Sequence, residues 1–280
     1  MKRKNSLTHG GVWLRLITCL VIIGILPACS SEKNVQPIHD GGEELIVVDA
    51  PKSSEREGWT LTFEDTFTGE KLDDKKWGHA PEWKRHNGQW SDKDAYLDGD
   101  GQLIIQISEK EGNYYSGAIR SIGLFEQAYG YYEIRAQLPI EEGYWTAFWL
   151  MSDSVHQVGG EGKDGTEIDI FETPFARYNK IDHALHWDGY EKDHRSVGKS
   201  TIIPEAYKGF TTFGLEWNED EYIFYVDDVE TWRTSAGGVS QVPAYLKITA
   251  EVGDWAGDIR SAKLPAQMVV DYVRVYEKKD

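Results

Sequence analysis

Three carboxylates fall within six residues of one apolar run, Glu167-Ile168-Asp169-Ile170-Phe171-Glu172. Side chains alternate faces along a regular strand, so Glu167 and Asp169 share a face while Ile168 and Ile170 point into a core. Glu172 has the wrong parity to join them. A single-residue bulge near Ile170-Phe171 returns it to the acidic face, and bulges recur beside active sites because they re-aim a side chain. With the bulge, Glu167 and Glu172 are effectively four residues apart, about 13 Å between Cα atoms. Two glutamates leaning together close most of that gap. Carboxyl groups about 5–5.5 Å apart suit glycosidic cleavage with retention of configuration, whereas about 6.5–9.5 Å admits a water and inverts. Like charges on one face repel, so at least one acid keeps its proton. That separates the roles: an ionised carboxylate attacks the anomeric carbon and a protonated one donates to the leaving oxygen. Asp169, between them, is suited to orient the nucleophile. A solvent-facing acidic edge and a calcium site are the competing readings. Ile168, Ile170 and Phe171 weigh against the edge, because unpaired carboxylates on a core-backed strand are costly. One strand supplies too few oxygens for calcium.

The surrounding chain reads as strands and turns. Gln102 to Ile107, Tyr129 to Leu138, Tyr144 to Met151, Thr211 to Trp217, Glu221 to Val226, Tyr245 to Ala250 and Met268 to Tyr276 carry alternating or continuous apolar patterns. Gly-, Asn- and Asp-rich turns separate them, as at Asp98-Gly99-Asp100-Gly101 and Gly237-Gly238. No helix-period segment exceeds about two turns, and many short strands with such turns predict an all-β sandwich. With no internal repeat and no low-complexity linker after Trp59, one domain is expected.

The 11 Trp and 15 Tyr residues cluster with polar neighbours, at Trp77, Trp83, Trp90, Trp145, Trp149, Trp187 and Trp255 among others. Each is read either as a core anchor with its indole N–H satisfied locally or as a flat platform for the C–H face of a sugar ring. Some of the group are expected to contact ligand.

The 280 residues include 47 acidic and 30 basic side chains, a net charge of −17. Duplex binding depends on Lys and Arg neutralising phosphates, so no nucleic-acid partner is expected. The same charge weakly disfavours a strongly sulfated or uronate-rich substrate. Lys2, Arg3 and Lys4 precede the apolar stretch Leu16 to Leu26, which Pro27-Ala28-Cys29 closes. That run is short for a permanent span and fits an export signal. A small residue before Cys29 resembles the bacterial lipoprotein processing signal, so residues 1–28 are read as signal peptide, Cys29 as lipidated, and residues 29–57 as a flexible tether. Two or more acyl chains on one cysteine hold a protein at a membrane, placing it at a bacterial cell envelope, at the outer membrane facing periplasm or surface. No cysteine pair is then left for a disulfide. Residues 58–280 form the folded domain, expected as a monomer.

The stretch Glu167-Ile168-Asp169-Ile170-Phe171-Glu172 resembles the active-site signature of glycoside hydrolase family 16, in the form with one extra residue before the second glutamate. Phe63-Glu64-Asp65-Thr66-Phe67, Tyr129 to Ala136, Trp145 to Leu150, Glu216-Trp217, Phe224 to Asp227 and Val270 to Tyr276 resemble further segments, so the likeness runs over about residues 59–277. It implies a β-jelly roll of two curved antiparallel sheets with a substrate groove across the concave one. It implies Glu167 as nucleophile, Glu172 as general acid/base and Asp169 as assisting acid. Trp149 is then expected on the groove floor, and His186 near the acid/base. Trp145, Trp187, Trp90 and Trp255 are the further candidate sugar contacts. No cofactor is implied for catalysis. Many relatives carry a structural calcium on the convex side, to which Glu64 and Asp271 are candidate contributors.

The sequence also departs from the family. The Asn-Asn-Glu-Leu-Gln segment typical of β-1,3-glucanases reads here as His86-Asn87-Gly88-Gln89-Trp90-Ser91, and Gly159 to Gly165 replaces the usual Trp-Pro. The extra residue in the signature argues against the compact mixed-linkage glucanases. It favours the broader group of laminarinases, agar- and carrageenan-cleaving enzymes and endo-β-galactosidases. An endo-acting β-glucanase on β-1,3 or mixed β-1,3/1,4 glucan is the leading expectation, and an endo-β-galactosidase on a galactan or host glycan its rival. A non-catalytic glycan-binding surface lipoprotein would tolerate loss of the carboxylates, and all three are present.

Overall fold

The structure, a computed structural model, describes residues 53–279. The signal peptide and Cys29 lie outside the described residues. Arg56, within the stretch read as tether, packs 3.4 Å over the Tyr131 ring, so ordered structure begins ahead of the first strand.

Nineteen strands follow along the described chain. The first seven are β1 (Trp59–Asp65), β2 (Gly78–His79), β3 (Lys84–Arg85), β4 (Gly88–Trp90), β5 (Ala95–Leu97), β6 (Leu103–Lys110) and β7 (Asn113–Ser116). Next come β8 (Ala118–Arg120), β9 (Glu126–Gln127), β10 (Gly130–Gln137), β11 (Tyr144–Met151), β12 (Glu167–Glu172) and β13 (Lys180–Trp187). The last six are β14 (Arg195–Ile202), β15 (Phe210–Trp217), β16 (Tyr222–Val226), β17 (Val229–Thr234), β18 (Ala244–Val252) and β19 (Ala266–Lys278). Only short 3₁₀ turns interrupt them among the described residues.

The strands form two sheets, of 11 and 8 strands. The larger runs β17-β16-β15-β10-β19-β6-β7-β4-β3, with β1 on β19 and β5 on β6. The smaller runs β14-β13-β12-β11-β18-β8-β2, with β9 on β18. All pairings are antiparallel except β4 with β7. This is the all-β jelly-roll sandwich expected. Its core fills the space between the sheets with Ile168, Ile170 and Phe171 from β12, Phe148 and Leu150 from β11, and Leu246 and Ile248 from β18. Phe213 and Leu215 of β15 and Val273 and Val275 of β19 oppose them. Phe171 meets Phe213 across the layers with ring centroids 4.3 Å apart. The apolar patterns had marked β10, β11, β12, β15, β16, β18 and β19. They had not marked β13, whose inward position between Ile181 and Leu185 is taken by His183, nor β14, which is mostly exposed and lies at a sheet edge.

The bulge falls where parity requires it. Trp149 pairs with Asp169 and Phe148 with Phe171, so Ile170 is the extra residue towards β11. On the other side Ala184 pairs with Asp169 and Asp182 with Glu172. A bulge leaves backbone groups outside the ladder, and a buried carbonyl needs a donor. His183 supplies one: its Nδ1 lies 2.6 Å from the Ile170 carbonyl oxygen, which can only accept. Burial lowers the His183 pKa to about 4, so the imidazole is neutral and its tautomer is fixed by that carbonyl. Replacing the fully buried Phe171 by Ala should lower unfolding free energy by about 3–5 kcal/mol, measured by chemical denaturation.

Candidate active site

The outer face of the smaller sheet forms a groove of about 980 Å³. By strand parity its floor receives Trp145, Ala147 and Trp149 from β11, Glu167, Asp169 and Glu172 from β12, and Lys247, Thr249 and Glu251 from β18. The bulge therefore brings the three acids to one face. Asp169 is 3% exposed, while Glu167 and Glu172 are half-buried.

Burial is the leading cause of the shift at each acid. It raises the Glu172 pKa to about 8, with the charges of Glu167, Asp182 and Glu251 adding to the rise and a hydrogen bond from Trp145 opposing it. Asp169 is raised well above the usual carboxylate range by burial and by Glu172 and Glu167 on either side. Glu167 is raised by burial too, but the hydrogen bond from Tyr190 and the charges of Lys247 and Arg85 oppose it. The environment therefore separates the pair, with Glu172 held protonated and Glu167 given donors and cations that favour its anion.

His186 pairs across the strands with Glu167. Its Nε2 lies 3.4 Å from Asp169 Oδ2, without hydrogen-bond geometry, which leaves Oδ2 with no hydrogen-bond partner. Its Nδ1 lies 2.9 Å from His194 Nε2. Burial and His194 lower its pKa to about 4, so it is neutral.

The structure sorts the aromatic candidates. Trp149 lies at the floor, its indole N–H donating to Thr249 Oγ1 at 3.0 Å. Trp145 packs edge-on against Trp255 at 5.2 Å, and Trp255 is 45% exposed at the groove rim. Trp90 lines the groove from below, at 2% exposure, with its N–H donating to the Ala250 carbonyl. Trp83, 54% exposed, stacks on it and presents the open face. Trp187 does not line the groove. The residue before it, His186, takes the groove side, so parity turns Trp187 to the other face, against the core and against Gly237. A Cβ at Gly237 would stand 2.6 Å from the indole.

The proposed calcium contributors do not fit a cation. Glu64 Oε1 accepts from Arg274 Nε at 2.9 Å, and Asp271 Oδ2 from Arg135 at 2.6 Å. Each carboxylate is matched by its own guanidinium. In the groove, donor atoms of Glu167, Asp169 and His186 lie within 4.8 Å of one another. Two carboxylates and an imidazole fall short of the roughly six to eight oxygens calcium takes.

Several groove residues were not singled out from the sequence. Glu251 is bound bidentately by Arg85, at 3.1 and 2.8 Å, and contacts His86 at 3.2 Å. Burial would raise its pKa, but the hydrogen bonds from His86 and Arg85 outweigh that and hold it low. Lys247, 7% exposed, sets its ammonium 3.5 Å over the Trp149 ring, and burial lowers its pKa to about 7. Arg120 pairs with it in register. The signal for β18 was present: polar residues at 247, 249 and 251 in an apolar run repeat the two-residue period of β12. Tyr190 and His194 stand in a loop and had no such signal.

The family model for glycosyl hydrolases family 16 matches residues 82–274. The chain belongs to this family. It is 30% identical over 173 residues to the endo-1,3-1,4-β-glycanase ExsH of Rhizobium meliloti, an alignment covering 61% of this chain and 35% of that relative's length. It is 29% identical over 241 residues to the keratan-sulfate endo-1,4-β-galactosidase of Sphingobacterium multivorum, covering 78% of this chain and 55% of that one. Among solved structures, the laminarinase catalytic domain of Thermotoga maritima superposes with a TM-score of 0.67 at 27% identity, covering 80% of this chain and 100% of that one.

The Glu172 shift has a consequence for stability. A carboxyl whose folded-state pKa is raised from 4.5 to about 8 favours the fold below 4.5 and loses that advantage as pH rises through 8. Glu172→Gln removes the titration. Its melting temperature relative to wild type should therefore climb steadily from pH 4.5 to pH 8, as followed by calorimetry.

Proposed function

We propose that this chain is a retaining, endo-acting β-glycoside hydrolase that cleaves internal linkages of a β-1,3 or mixed β-1,3/1,4 glucan by double displacement. One observation carries the reading: the bulge at Ile170 sets Glu167, Asp169 and Glu172 on one face of an open groove, with Glu172 held protonated to about pH 8. Glu167 attacks the anomeric carbon while Glu172 gives its proton to the departing oxygen. Glu172, now ionised, takes a proton from water, which displaces Glu167 and restores both groups. Asp169, protonated by its surroundings, can donate to a neighbouring carboxylate and hold it without adding charge. Trp149 and Trp145 line the floor, and Trp83 and Trp255 are exposed residues of the groove wall. A groove of about 980 Å³ has room for more than one sugar unit, which supports endo action. Similarity to the Thermotoga laminarinase domain supports a glucan.

A second reading, galactosyl linkages of a galactan or host glycan, is favoured by Lys247 and Arg120. They are register neighbours on the groove floor, and neither forms an ion pair with a described carboxylate. Adjacent like charges in a sheet are destabilising, and a sulfated galactan or host glycan would give them a counter-charge that a neutral glucan or galactan does not. The similarity to the keratan-sulfate enzyme points the same way. For location we infer export through residues 1–28 and attachment to a bacterial membrane through Cys29, supported by the basic start, the short apolar run and the small residue before the cysteine.

Incubation of the protein lacking residues 1–29 with laminarin, barley β-glucan, agarose, carrageenan and poly-N-acetyllactosamine glycans tests both readings. Oligosaccharides of mixed length from laminarin or barley glucan are expected, released as the β-anomer by NMR. Products from the galactans alone would select the second reading, and none from any would remove the hydrolase assignment. Glu172→Ala should lower kcat by about 10²–10⁴-fold and Glu167→Ala by at least as much, with unchanged circular dichroism. The pH profile of kcat/KM should be a bell: its acid limb follows ionisation of Glu167, and its alkaline limb near 8 follows loss of the Glu172 proton.

A further inference from the structure

We propose that Tyr190, in the loop joining β13 to β14, is the positioning residue for the Glu167 carboxylate, fixing which of its two oxygens meets the anomeric carbon. The proposal rests on Glu167 acting as the nucleophile.

A glutamate on an open groove has three rotatable bonds and two equivalent oxygens, so its strand position alone does not aim it. Tyr190 provides the aim. Its phenolic O–H donates to Glu167 Oε2, the one hydrogen bond to the Glu167 carboxylate among the described residues. With Oε2 held, Oε1 is the oxygen left to attack. The remaining groups that face Glu167 act at longer range. They are Lys247 and Glu251 from β18, Arg85 from β3, His186 from β13, and Asp169 and Glu172 on its own strand.

The loop is built to hold the tyrosine there. Asp188 and Gly189 adopt successive left-handed conformations, φ 59° and 75°, which turn the chain back over the groove. Asp188 Oδ1 accepts from the Gly159 N–H at 2.9 Å, and the Gly189 N–H donates to the Val155 carbonyl at 2.7 Å. These bonds tie the loop to the segment after β11. The Tyr190 ring packs edge-on against His156 at 5.4 Å and lies 5.8 Å from His194. His194 in turn lies in the plane of His186, 3° from parallel with centroids 5.1 Å apart, and meets it edge to edge through the 2.9 Å nitrogen contact. One loop thus binds Glu167 through Tyr190 and braces His186 through His194. A tyrosine kept only for packing would bury its ring. Tyr190 is 43% exposed and spends its hydroxyl on a groove carboxylate.

The chemistry gives the bond two functions. A donor on a carboxylate favours the anion, so Tyr190 works against the burial that raises Glu167. When water resolves the glycosyl-enzyme, the bond between the anomeric carbon and the Glu167 oxygen breaks and its electron pair returns to the carboxylate. Tyr190 then stabilises that returning charge.

Tyr190→Phe in the full-length protein tests this, since it keeps the ring and removes the donor. Charge-assisted hydrogen bonds of this kind set the expected loss at about 10–100-fold in kcat, with KM changed less than about threefold. The acid limb of the kcat/KM profile should move upward by about one pH unit, with an unchanged circular dichroism spectrum. The Glu167 carboxyl carbon, assigned by its loss in Glu167→Gln, should titrate higher by the same amount in ¹³C NMR, a readout that needs no substrate. Wild-type kcat, acid limb and carboxyl titration in Tyr190→Phe would overturn the proposal. An active Glu167→Ala would instead overturn the nucleophile assignment, so the two failures are distinguishable.

Discussion

Everything at the groove depends on one extra residue in β12. The strand must bury Ile168, Ile170 and Phe171 against the opposing sheet and still present three acids outward. Period-2 geometry allows two of the acids and excludes the third. The bulge resolves the conflict by letting Ile170 and Phe171 both stay inside while Glu172 returns to the outer face. It also strands a carbonyl, and His183 on the neighbouring strand caps it. A hydrophobic constraint and a backbone hydrogen bond therefore decide where Glu172 stands.

Putting four carboxylates on a largely buried face is unfavourable for the fold, and the groove answers that cost unevenly. Glu251 receives a bidentate guanidinium and stays ionised. Glu167 receives a phenol and the longer-range field of Lys247 and Arg85. Asp169 and Glu172 receive less and keep their protons. This inequality lets chemically similar residues take opposite roles at one pH. Lys247, paired with an aromatic face in place of a carboxylate, belongs to the same balance. The chain's net charge of −17 says nothing about this floor, where Lys247 and Arg120 line the same groove as the acids.

The aromatic residues divide by the same geometry. Trp90 and Trp149 spend their indole N–H groups inside the protein, which fixes the orientation of the floor. Trp83 and Trp255 extend outward from these anchors. Trp187 neighbours a groove residue in sequence and faces away from it in space, because adjacent strand positions take opposite faces.

The fold class, the spacing of Glu167, Asp169 and Glu172 and even the position of the bulge were legible in the sequence. The acid spacing and the bulge follow from the alternation of apolar and polar residues along a single strand, which is a local pattern; the sandwich follows from many such strands and turns, and its jelly-roll form from the family resemblance. Most of the core strands were legible from their own apolar patterns, while β13 was not, since His183 interrupts its inward-facing apolar positions, and β14 was not, since an edge strand's exposed residues carry little hydrophobic contrast. Tertiary structure alone decided what faces each acid. His183 on the bulge, Arg85 on Glu251, Tyr190 on Glu167 and the arginines on Glu64 and Asp271 are contacts between residues up to 210 positions apart. Protonation and orientation depend on such neighbours through burial and short-range hydrogen bonds. The sequence therefore named the three acids of the groove, and the packing of distant strands and one loop assigned each its charge and its direction.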